Sequence, residues 1–529
     1  MTAVRTSSQS DSRVLIIGAG IAGLAAAARL SHSGMNVTVF ETHATAGGKM
    51  RCIPSPAGPI DAGPTVLTLR GVFDALFASL GERLDDHVTL TRQRVIARHF
   101  WPCGSQLDLF DTEHDNIKAI QHFAGSKAAR QFRQFGTKAR QLFQSLDTPM
   151  MQAPAPTLLR LARHVATQPW LIPNMAPTST LDTHLQRHFD DPRLVQLFGR
   201  YATYVGGNPY LSPALLALIW QAEAAGVWTV KGGMHQLARS ILQIAQRRGA
   251  VFHFDTGVNK INVSNGAVTG ITLTDGSEIA GSTVLFNGDP RALSTGLLGA
   301  PCTRVATQTL HAARSLSAEV WAFAARATGP ELAHHNVFFR DAPKPEFDAL
   351  QNGEFVDDPT LYVCAMDRGQ AAALPALERF ETIANAPPLG ARSTKEDFSR
   401  CQTRTFQTLA RFGLRFDQIP GPDCLTTPAG FNRMFPASAG SLYGQSPHGM
   451  TAALKRPQAR TPITGLFLAG GGTHPGAGVP MATLSARHAA EAILNTRTLT
   501  STSHRTGMHG GMSTASATVA GAPSASSGS

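Results

Sequence analysis

Three glycines near the beginning of the chain have the spacing of a site for a dinucleotide phosphate. They lie in the run Gly18-Ala19-Gly20-Ile21-Ala22-Gly23. In such a run the first glycine permits a tight turn, the second lets the backbone approach a pyrophosphate, and the third allows a helix to pack closely on a strand. Glu41 follows 23 residues after Gly18, where its carboxylate can accept hydrogen bonds from ribose hydroxyls and repel a 2′-phosphate.

The residues around these glycines predict a βαβ unit from Val14 to Glu41. Val14–Ile17 is a continuous apolar run, as expected for a parallel strand buried on both faces. An alanine-rich helix should follow and end near Gly34, with a second strand over Asn36–Glu41. Because strand, glycines, helix, second strand and acid occur in order, the unit predicts a dinucleotide site with the pyrophosphate at the N-terminus of the helix.

Two further glycine-rich segments favour FAD over NAD(P). Ala46–Arg51 resembles the GG motif that follows the βαβ unit in the amine-oxidase and phytoene-desaturase superfamily of flavoproteins. Thr464–His474 resembles the C-terminal flavin-binding strand and loop of the same superfamily. The resemblance implies that a helix starting near Pro480 directs its N-terminus at the pyrimidine edge of the flavin, where reduced flavin carries negative charge. NAD(P) is the alternative cofactor.

Other segments are similar to those of one branch of that superfamily, the bacterial carotenoid desaturases. They are Asp61–Val66, Arg200–Pro209, Lys231–Met234, Asn385–Pro387 and Thr473–Pro480. The resemblance extends from Val14 to Leu494. Within the branch, the hydroxyneurosporene desaturases (1-hydroxycarotenoid 3,4-desaturases, also called methoxyneurosporene dehydrogenases) are resembled most, through segments Pro54–Arg70, His99–Asp108, Asp357–Arg368, Ser441–Met450 and Met481–Ser485.

The resemblance implies an α/β fold in which a Rossmann-type FAD-binding domain, built on a parallel sheet, carries an inserted, mixed α+β substrate domain. The FAD-binding domain is expected at 13–90, 241–300 and 456–497. The substrate domain is expected at 91–240, mainly helical and membrane-associated, and at 301–455. Segments 1–12 and 498–529 are polar or rich in small residues and are expected to be disordered.

Periodicity adds individual elements. Residues 115–245 are helical in pattern, and strands are predicted at Val251–Phe254, Val258–Val263, Val268–Leu273, Thr283–Asn287 and Leu466–Ala469. The expected FAD-binding residues are Gly18, Gly20, Ile21, Ala22, Gly23, Glu41, Gly47, Gly48, Lys49, Arg51, Gly63, Pro64, Thr65, Val258, Gly470, Gly471, Gly472, Val479, Pro480 and Met481.

The implied reaction removes two hydrogens from adjacent carbons of an acyclic carotenoid, with a hydride passing to the flavin and oxygen or a quinone as the final electron acceptor. Such chemistry depends mainly on positioning an apolar rod against the flavin. Asp61 and His474 are candidates for proton transfer, although each also suits a structural role, and Glu223 and Arg51 are weaker candidates. Tyr443, Gln445 and His448 are candidates to bind a substrate hydroxyl.

No Ser/His/Asp triad or metal-spaced cluster is visible, so no metal is expected. Six scattered cysteines argue against zinc sites and disulfides and favour a reducing, cytoplasmic compartment. The polar N-terminus predicts no signal peptide, and no apolar run approaches the roughly 20 residues of a membrane span.

The net charge of +11 favours anionic partners. Without a Lys/Arg block, a membrane surface is favoured over nucleic acid. Because a carotenoid is insoluble in water, peripheral association with the cytoplasmic side of a membrane is expected. A helical stretch with Lys127, Arg130, Arg133, Lys138 and Arg140 is a candidate cationic face, although a merely solvated face explains it equally well. The interleaved Phe123, Phe132, Phe135 and Phe143 suit an ordinary core better than a carotenoid tunnel.

Other functions of the same scaffold stay open at this point. A phytoene or neurosporene desaturase and a carotenoid isomerase use similar motifs. An amine or protoporphyrinogen oxidase is disfavoured by the loop Thr473–Pro480. A non-enzymatic lipid carrier, resembling the Rab GDP-dissociation inhibitors, is disfavoured by the intact cofactor motifs.

Overall fold

The computed structural model describes residues 13–369, 373–390 and 397–505. Its strands, in chain order, are β1 (Arg13–Ile17), β2 (Asn36–Phe40), β3 (Cys52–Ile53), β4 (Ile60–Asp61), β5 (Leu90–Arg92), β6 (Val95–Phe100), β7 (Gln106–Phe110), β8 (Trp228–Val230), β9 (Val251–His253), β10 (Val258–Ser264), β11 (Ala267–Leu273), β12 (Glu278–Ala280), β13 (Thr283–Phe286), β14 (Ser317–Ala325), β15 (Ala327–Thr328), β16 (His335–Phe338), β17 (Leu361–Ala365), β18 (Glu378–Ala386), β19 (Arg415–Phe416), β20 (Leu425–Thr426) and β21 (Leu466–Leu468).

The α-helices, in the same order, are α1 (Ile21–His32), α2 (Arg70–Ala78), α3 (Glu113–Leu146), α4 (Leu158–Thr167), α5 (Leu171–Met175), α6 (Leu181–Gln186), α7 (Pro192–Gly199), α8 (Ile219–Ala224), α9 (His235–Arg247), α10 (Arg291–Ser294), α11 (Pro343–Asn352), α12 (Phe398–Arg411), α13 (Pro428–Met434) and α14 (Val479–Arg505). A π-helical turn, Asp147–Gln152, follows α3, and a 3-10 helix, Arg200–Val205, follows α7.

A five-stranded sheet in the order β21-β13-β1-β2-β9 forms the nucleotide-binding half. Every pairing in it is parallel, with Ile16 of β1 opposite Val39 on one side and Leu285 on the other. The strand predictions for β9, β10, β11, β13 and β21 are confirmed to within one residue at each end. The apolar run of β13 was readable because this strand lies inside the parallel sheet and is mostly buried, whereas β10 and β11 form a separate antiparallel sheet with β12.

Helix α1 packs against two other helices, α9 and α14, beside the parallel sheet. Its alanines Ala25–Ala28 are completely buried and share a core with α9 and α14. Small side chains let these helices approach closely. Gly34 has φ +78°, one residue beyond the C-cap Ser33, and so takes the left-handed position that the sequence predicted for the end of the helix.

A seven-stranded sheet in the order β20-β14-β18-β17-β16-β6-β7 forms the second half. All its pairings are antiparallel except that of β16 with β6. Helices α3 and α6–α8 cover part of it through an aromatic core that includes Phe132, Phe135, Phe198 and Trp220. The parallel sheet and the mixed second half confirm the predicted fold class.

Two expectations about segment boundaries need correction. The segment 91–240 contains strands β6, β7 and β8 besides its helices. The boundary expected after residue 240 falls inside α9, which packs on α1 and therefore belongs to the nucleotide-binding half. Helix α14 continues to Arg505, past the expected start of a disordered tail at 498. Residues 1–12 and 506–529, also expected to be disordered, lie outside the described residues.

Within the described residues, no helix is both long enough and apolar enough to span a membrane.

Candidate active site

A cavity of about 710 Å³ lies between the two halves of the molecule. On one side it is lined by residues at the carboxyl ends of β1, β2 and β13, the position at which open parallel sheets bind ligands. On the other side it is lined by residues of the seven-stranded sheet and of the 3-10 helix Arg200–Val205. Cofactor and substrate sites can therefore share this cavity.

The glycine-rich turn lies at the nucleotide end of the cavity. Gly18 has φ +98°, which favours glycine. A Cβ atom on Gly23 would lie 2.0 Å from the Gly18 carbonyl oxygen, so the third glycine is required by packing. The first helical hydrogen bond of α1 runs from Leu24 N to Gly20 O, so the amides of Ile21 and Ala22 are left for a ligand. Gly20, Ile21 and Ala22 line the cavity.

Glu41 lies at the end of β2 and connects the two loops beside this turn. Its Oε2 accepts a hydrogen bond from Ala19 N at 2.7 Å, and its Oε1 accepts one from His43 N at 2.9 Å. The carboxylate is buried but lines the cavity. It therefore holds the glycine turn in place as well as presenting acceptor oxygens to a ribose.

The GG motif packs directly against the glycine turn. Gly47 N donates to Ala19 O at 2.9 Å, and a Cβ on Gly48 would lie 3.0 Å from the Cα of Gly20. Lys49 donates from Nζ to the carbonyl of Leu442 at 2.5 Å. Desolvation lowers the pKa of Lys49 to about 8. The amine on this wall is therefore mostly protonated at neutral pH but loses its proton more readily than an exposed lysine.

The C-terminal loop closes the cavity opposite the GG motif. Gly470–Gly472, Val479 and Pro480 line it, at the N-terminus of α14. Arg456 holds this loop by donating to Gly471 O at 2.8 Å and to Tyr443 O at 3.1 Å. Desolvation lowers the pKa of Arg456 to about 10, so it is charged at neutral pH.

The expected FAD-binding residues line this cavity with three exceptions, Gly23, Arg51 and Met481. Gly23 lies behind the turn and serves packing. Arg51 points to the substrate half, where its Nη2 donates to Thr426 Oγ1 at 2.5 Å. Met481 lies in the first turn of α14 without reaching the wall.

Neither proton-transfer candidate reaches the cavity wall. Asp61 accepts hydrogen bonds from Met234 N at 2.7 Å and His235 N at 3.4 Å, at the start of α9. Burial raises the pKa of Asp61 to about 6. His474 lies 2.9 Å through Nε2 from Ala153 O, and desolvation lowers its pKa to about 4. Both geometries are those of groups that hold neighbouring segments together.

A buried polar cluster borders the substrate side of the cavity. Arg200 and Tyr204 line it, and Arg200 Nη1 donates to the Tyr204 hydroxyl at 3.3 Å. The hydroxyls of Tyr201, at 2.6 Å, and of Tyr204 both donate to Glu223. Glu223 itself does not line the cavity; it neutralises Arg200 through the two tyrosines.

Of the three residues expected to bind a substrate hydroxyl, only one reaches the cavity. Tyr443 lines the cavity, whereas Gln445 and His448 do not. His448 Nε2 accepts a hydrogen bond from Asn208 N at 3.0 Å.

Several cavity residues were not predicted. Asn287 lines the cavity and donates from Nδ2 to Gly18 O at 3.1 Å. Asp289 accepts from Arg291 N at 3.0 Å and pairs with Arg314. Asn287 ends a predicted strand and Asp289 lies two residues beyond it, so the tendency of parallel sheets to bind ligands at the carboxyl ends of their strands could have indicated both. No local pattern marks Arg456 or Arg314.

FAD fits this set of residues. The glycine turn leaves unpaired amides and no side chains where a pyrophosphate would lie, and Glu41 is placed for a ribose. The polar nucleotide end continues into a wall of apolar side chains, which suits an isoalloxazine and a hydrocarbon together.

The comparisons agree with this geometry. The family model of flavin-containing amine oxidoreductases matches residues 21–322 and 435–494, and the chain belongs to this family. It is an FAD-dependent oxidoreductase.

The chain is 51% identical to the hydroxyneurosporene desaturase of Cereibacter sphaeroides, over 91% of this chain and 97% of the relative. It is 48% identical to the hydroxyneurosporene desaturase of Rhodobacter capsulatus, over 92% and 99%. A 1-hydroxycarotenoid 3,4-desaturase of a Flavobacterium species is 30% identical over 92% and 99%.

Solved structures share the fold at low identity. Putrescine oxidase bound to putrescine aligns with a TM-score of 0.58 at 15% identity, over 92% of this chain and 99% of that one. Cyclohexylamine oxidase from Brevibacterium oxydans aligns with a TM-score of 0.57 at 17% identity, over 92% and 100%.

Proposed function

We propose that this protein introduces a C3–C4 double bond into acyclic 1-hydroxy or 1-methoxy carotenoids such as hydroxyneurosporene. The observation that carries the proposal is near-full-length identity of 51% and 48% to two relatives named hydroxyneurosporene desaturase. The cavity supports it by joining a nucleotide end to an apolar end.

When bound, FAD supplies a hydride acceptor. The chain's own contribution is orientation. Apolar residues of the cavity wall can hold a polyene in one plane and exclude water from it; they are Val66, Leu316, Val320, Val337, Ile383, Phe431, Met434, Phe435 and Leu442. Holding the reacting carbon at near-attack distance can lower the barrier by roughly 7–11 kcal/mol. The proposed final electron acceptor is oxygen or a quinone.

A hydroxyl on C1 must lie close to the reacting carbons, since its oxygen is only three bonds from C3, and C3 must approach the flavin to about 3.5 Å. Its partner therefore belongs beside the C-terminal flavin loop and not at a distant end of the cavity. Tyr443 meets this requirement. It lines the cavity, and its neighbour Gly444 packs on Gly472, where a Cβ on Gly444 would lie 3.2 Å from the Gly472 Cα. We assign Tyr443 to the substrate oxygen.

The test is an assay with purified enzyme and liposomes that contain neurosporene, lycopene or their 1-hydroxy derivatives, followed by the red shift of the polyene spectrum. The 1-hydroxy substrates should react about tenfold to a hundredfold faster, because a buried polar partner is left unpaired by the bare hydrocarbon. Equal or faster turnover of the hydrocarbons would refute this specificity and favour a phytoene or neurosporene desaturase.

Asp61 and His474 act, in this proposal, as positioning residues. Asp61 fixes the start of α9, and a Cβ on Gly233 would collide with its carboxylate at 2.7 Å. His474 ties the C-terminal loop to Ala153. Neither is expected to take a proton from the substrate.

We further propose that helices α4 and α5 dock on the cytoplasmic side of an anionic membrane. Four large apolar side chains in this segment are exposed: Leu158 at 61%, Leu159 at 62%, Trp170 at 40% and Ile172 at 51%. Arg160 and Arg163, both exposed, lie on the same helix α4. This combination of apolar and basic residues with an interfacial tryptophan is typical of helices that lie in the plane of a membrane surface.

The α4–α5 surface, as defined by these six residues, is linked to the cavity. Two contacts hold the segment that precedes this surface. Arg487 of α14 donates from Nη2 to Gln152 O at 3.2 Å, and His474, in the loop before α14, lies 2.9 Å through Nε2 from Ala153 O. Helix α3 offers a weaker surface than expected, since Lys127 pairs with Asp190 at 2.5 Å and Arg140 with Glu113 at 2.5 Å.

Flotation with anionic liposomes tests this surface. Leu159→Asp should reduce the bound fraction severalfold, whereas Ile419→Asp, which changes a similarly exposed residue elsewhere (50%), should not. High salt should weaken the binding of the native protein because part of it is electrostatic. Equal flotation of the two variants would remove α4 from the interface.

A further inference from the structure

A row of buried polar side chains crosses the seven-stranded sheet behind the cavity wall. His335 of β16 is paired with Cys364 of β17, and Cys364 is paired with Glu381 of β18. Residues directly opposite each other on neighbouring strands leave the sheet on the same face. His334, immediately before β16, adds a second imidazole. All four residues are buried.

Three of these side chains converge on one point. His334, His335 and Cys364 each offer one ligand atom, and the three atoms lie within 4.8 Å of one another. His334 Nε2 lies 3.5 Å from Cys364 Sγ. Zn–N and Zn–S bonds of about 2.0–2.1 and 2.3 Å at a tetrahedral angle separate the nitrogen and sulfur by roughly 3.5 Å. The observed distance therefore equals that between two ligands of one zinc ion.

The outer contacts of both imidazoles are those of metal ligands. His334 Nδ1 lies 2.9 Å from the carbonyl of Arg368, so it donates there and leaves its Nε2 lone pair towards Cys364. His335 Nδ1 lies 2.7 Å from the hydroxyl of Tyr362. Metal-binding histidines are usually oriented by such a partner on the second ring nitrogen.

The protein leaves a polar atom of this row without a partner. His335 Nε2 is buried and has no hydrogen bond. Buried polar groups without partners are unfavourable and call for an explanation. A cation in this place would give the imidazole nitrogen a partner.

We propose that His334, His335 and Cys364 bind one Zn²⁺ ion, with a water molecule as the fourth ligand. A donor set of two imidazoles and a thiolate favours a borderline-soft ion such as zinc over Mg²⁺ or Ca²⁺. Cys364 loses its thiol proton to solvent when the Zn–S bond forms, so binding should weaken as the pH falls.

The ion would fasten one wall of the cavity. Tyr362, which bridges His335 to Thr65 with distances of 2.7 Å on both sides, lines the cavity together with Thr65. Holding β16 and β17 together therefore fixes a residue pair that faces the cofactor and the substrate. No residue of the zinc site itself lines the cavity, so we assign the ion a positioning role.

The experiment uses the FAD-loaded enzyme, dialysed first against zinc and then against metal-free buffer. Elemental analysis should give one zinc per chain, and the zinc-edge X-ray absorption spectrum should show one sulfur at about 2.3 Å with nitrogen or oxygen neighbours. Cys364→Ser and His334→Gln should lose most of the zinc. The control Cys302→Ser changes a buried cysteine outside the cluster and should retain it.

Flavin content and circular dichroism report whether each variant folds. If a variant does not fold, the X-ray absorption spectrum of the native protein still tests the proposal by itself. Native protein that retains no zinc would overturn the proposal and leave a thiol-to-imidazole hydrogen bond. Zinc without a sulfur neighbour, or zinc retained equally in all variants, would show an adventitious ion only and would overturn it too.

Discussion

Gly20→Val should abolish FAD binding while leaving the fold intact. Gly20 has φ −68° and ψ 172°, an extended conformation that valine adopts without strain. A Cβ there would lie 3.1 Å from Nδ2 of Asn287, the end of a side chain that can move. The branched methyl groups would lie over the N-terminus of α1, where Gly20, Ile21 and Ala22 face the cavity.

The size of the effect follows from the hydrogen bonds that the phosphate would no longer accept. A pyrophosphate kept away from the first turn of α1 loses two or more charge-assisted hydrogen bonds to backbone amides, each contributing about 1.5–3 kcal/mol. The dissociation constant should therefore rise by roughly 10² to 10⁴. Stability of the cofactor-free protein should change by no more than about 1 kcal/mol, because the site is a cavity and not a packed core.

Two substitutions provide controls. Gly421→Val places the same side chain at an extended glycine, φ −80° and ψ −178°, with no atom near its Cβ position, and should change neither property. Gly23→Val should prevent folding, because its Cβ would lie 2.0 Å from a backbone oxygen. Flavin fluorescence titration and thermal denaturation measure binding and stability. A Gly20→Val protein with full flavin content would refute the assignment of this turn to the pyrophosphate.

Further substitutions test the polar groups around the cavity. Asp61→Asn should retain flavin and turnover; a thousandfold loss of turnover with normal flavin content would restore Asp61 as a catalytic residue. Burial raises the pKa of Asp61 from 3.8 to about 6, so the native protein should lose about 3 kcal/mol of stability as the pH rises from 4 through 6. Urea unfolding at several pH values should show that slope in the native protein and not in Asp61→Asn. Glu223→Gln should lower stability by about 2–4 kcal/mol, because Tyr201 and Tyr204 both donate to this carboxylate and Arg200 donates in turn to Tyr204; an unchanged melting temperature would contradict the cluster. His474→Gln should leave the pH profile of turnover unchanged between pH 5 and 8, since the pKa of His474 is lowered to about 4.

The predictable parts of this protein are those in which neighbouring residues make the structure. The βαβ unit could be predicted because its strands, glycines and terminal acid follow one another in 28 residues. The alternation of short apolar runs and turns likewise located β9, β10, β11 and β13. Helix boundaries and the division between the two halves were less predictable, because α9 is assigned to one half only by its packing on α1.

Contacts between segments that are far apart in the chain could not be predicted from the sequence, for a physical reason. Arg456 donates to Gly471 and Tyr443 across gaps of 15 and 13 residues, and no spacing rule connects them. His335 and Cys364 meet only because β16 and β17 pair in one register, so a search for ligands at short spacing finds no metal site there. The amphipathic surface of α4 was likewise missed, since the sequence does not show that the described residues leave its two leucines exposed.

The carboxylates around the cavity show how little acid–base chemistry the protein itself can supply. Among the residues that the structure describes, the acidic residues lining the cavity are Glu41 and Asp289. Glu41 accepts two backbone hydrogen bonds, and Asp289 accepts one and pairs with Arg314. Both carboxylates are therefore already engaged by partners within the protein. Such a wall suits a reaction in which charge is delocalised over a polyene, because holding the substrate against the flavin is then worth more than a proton acceptor.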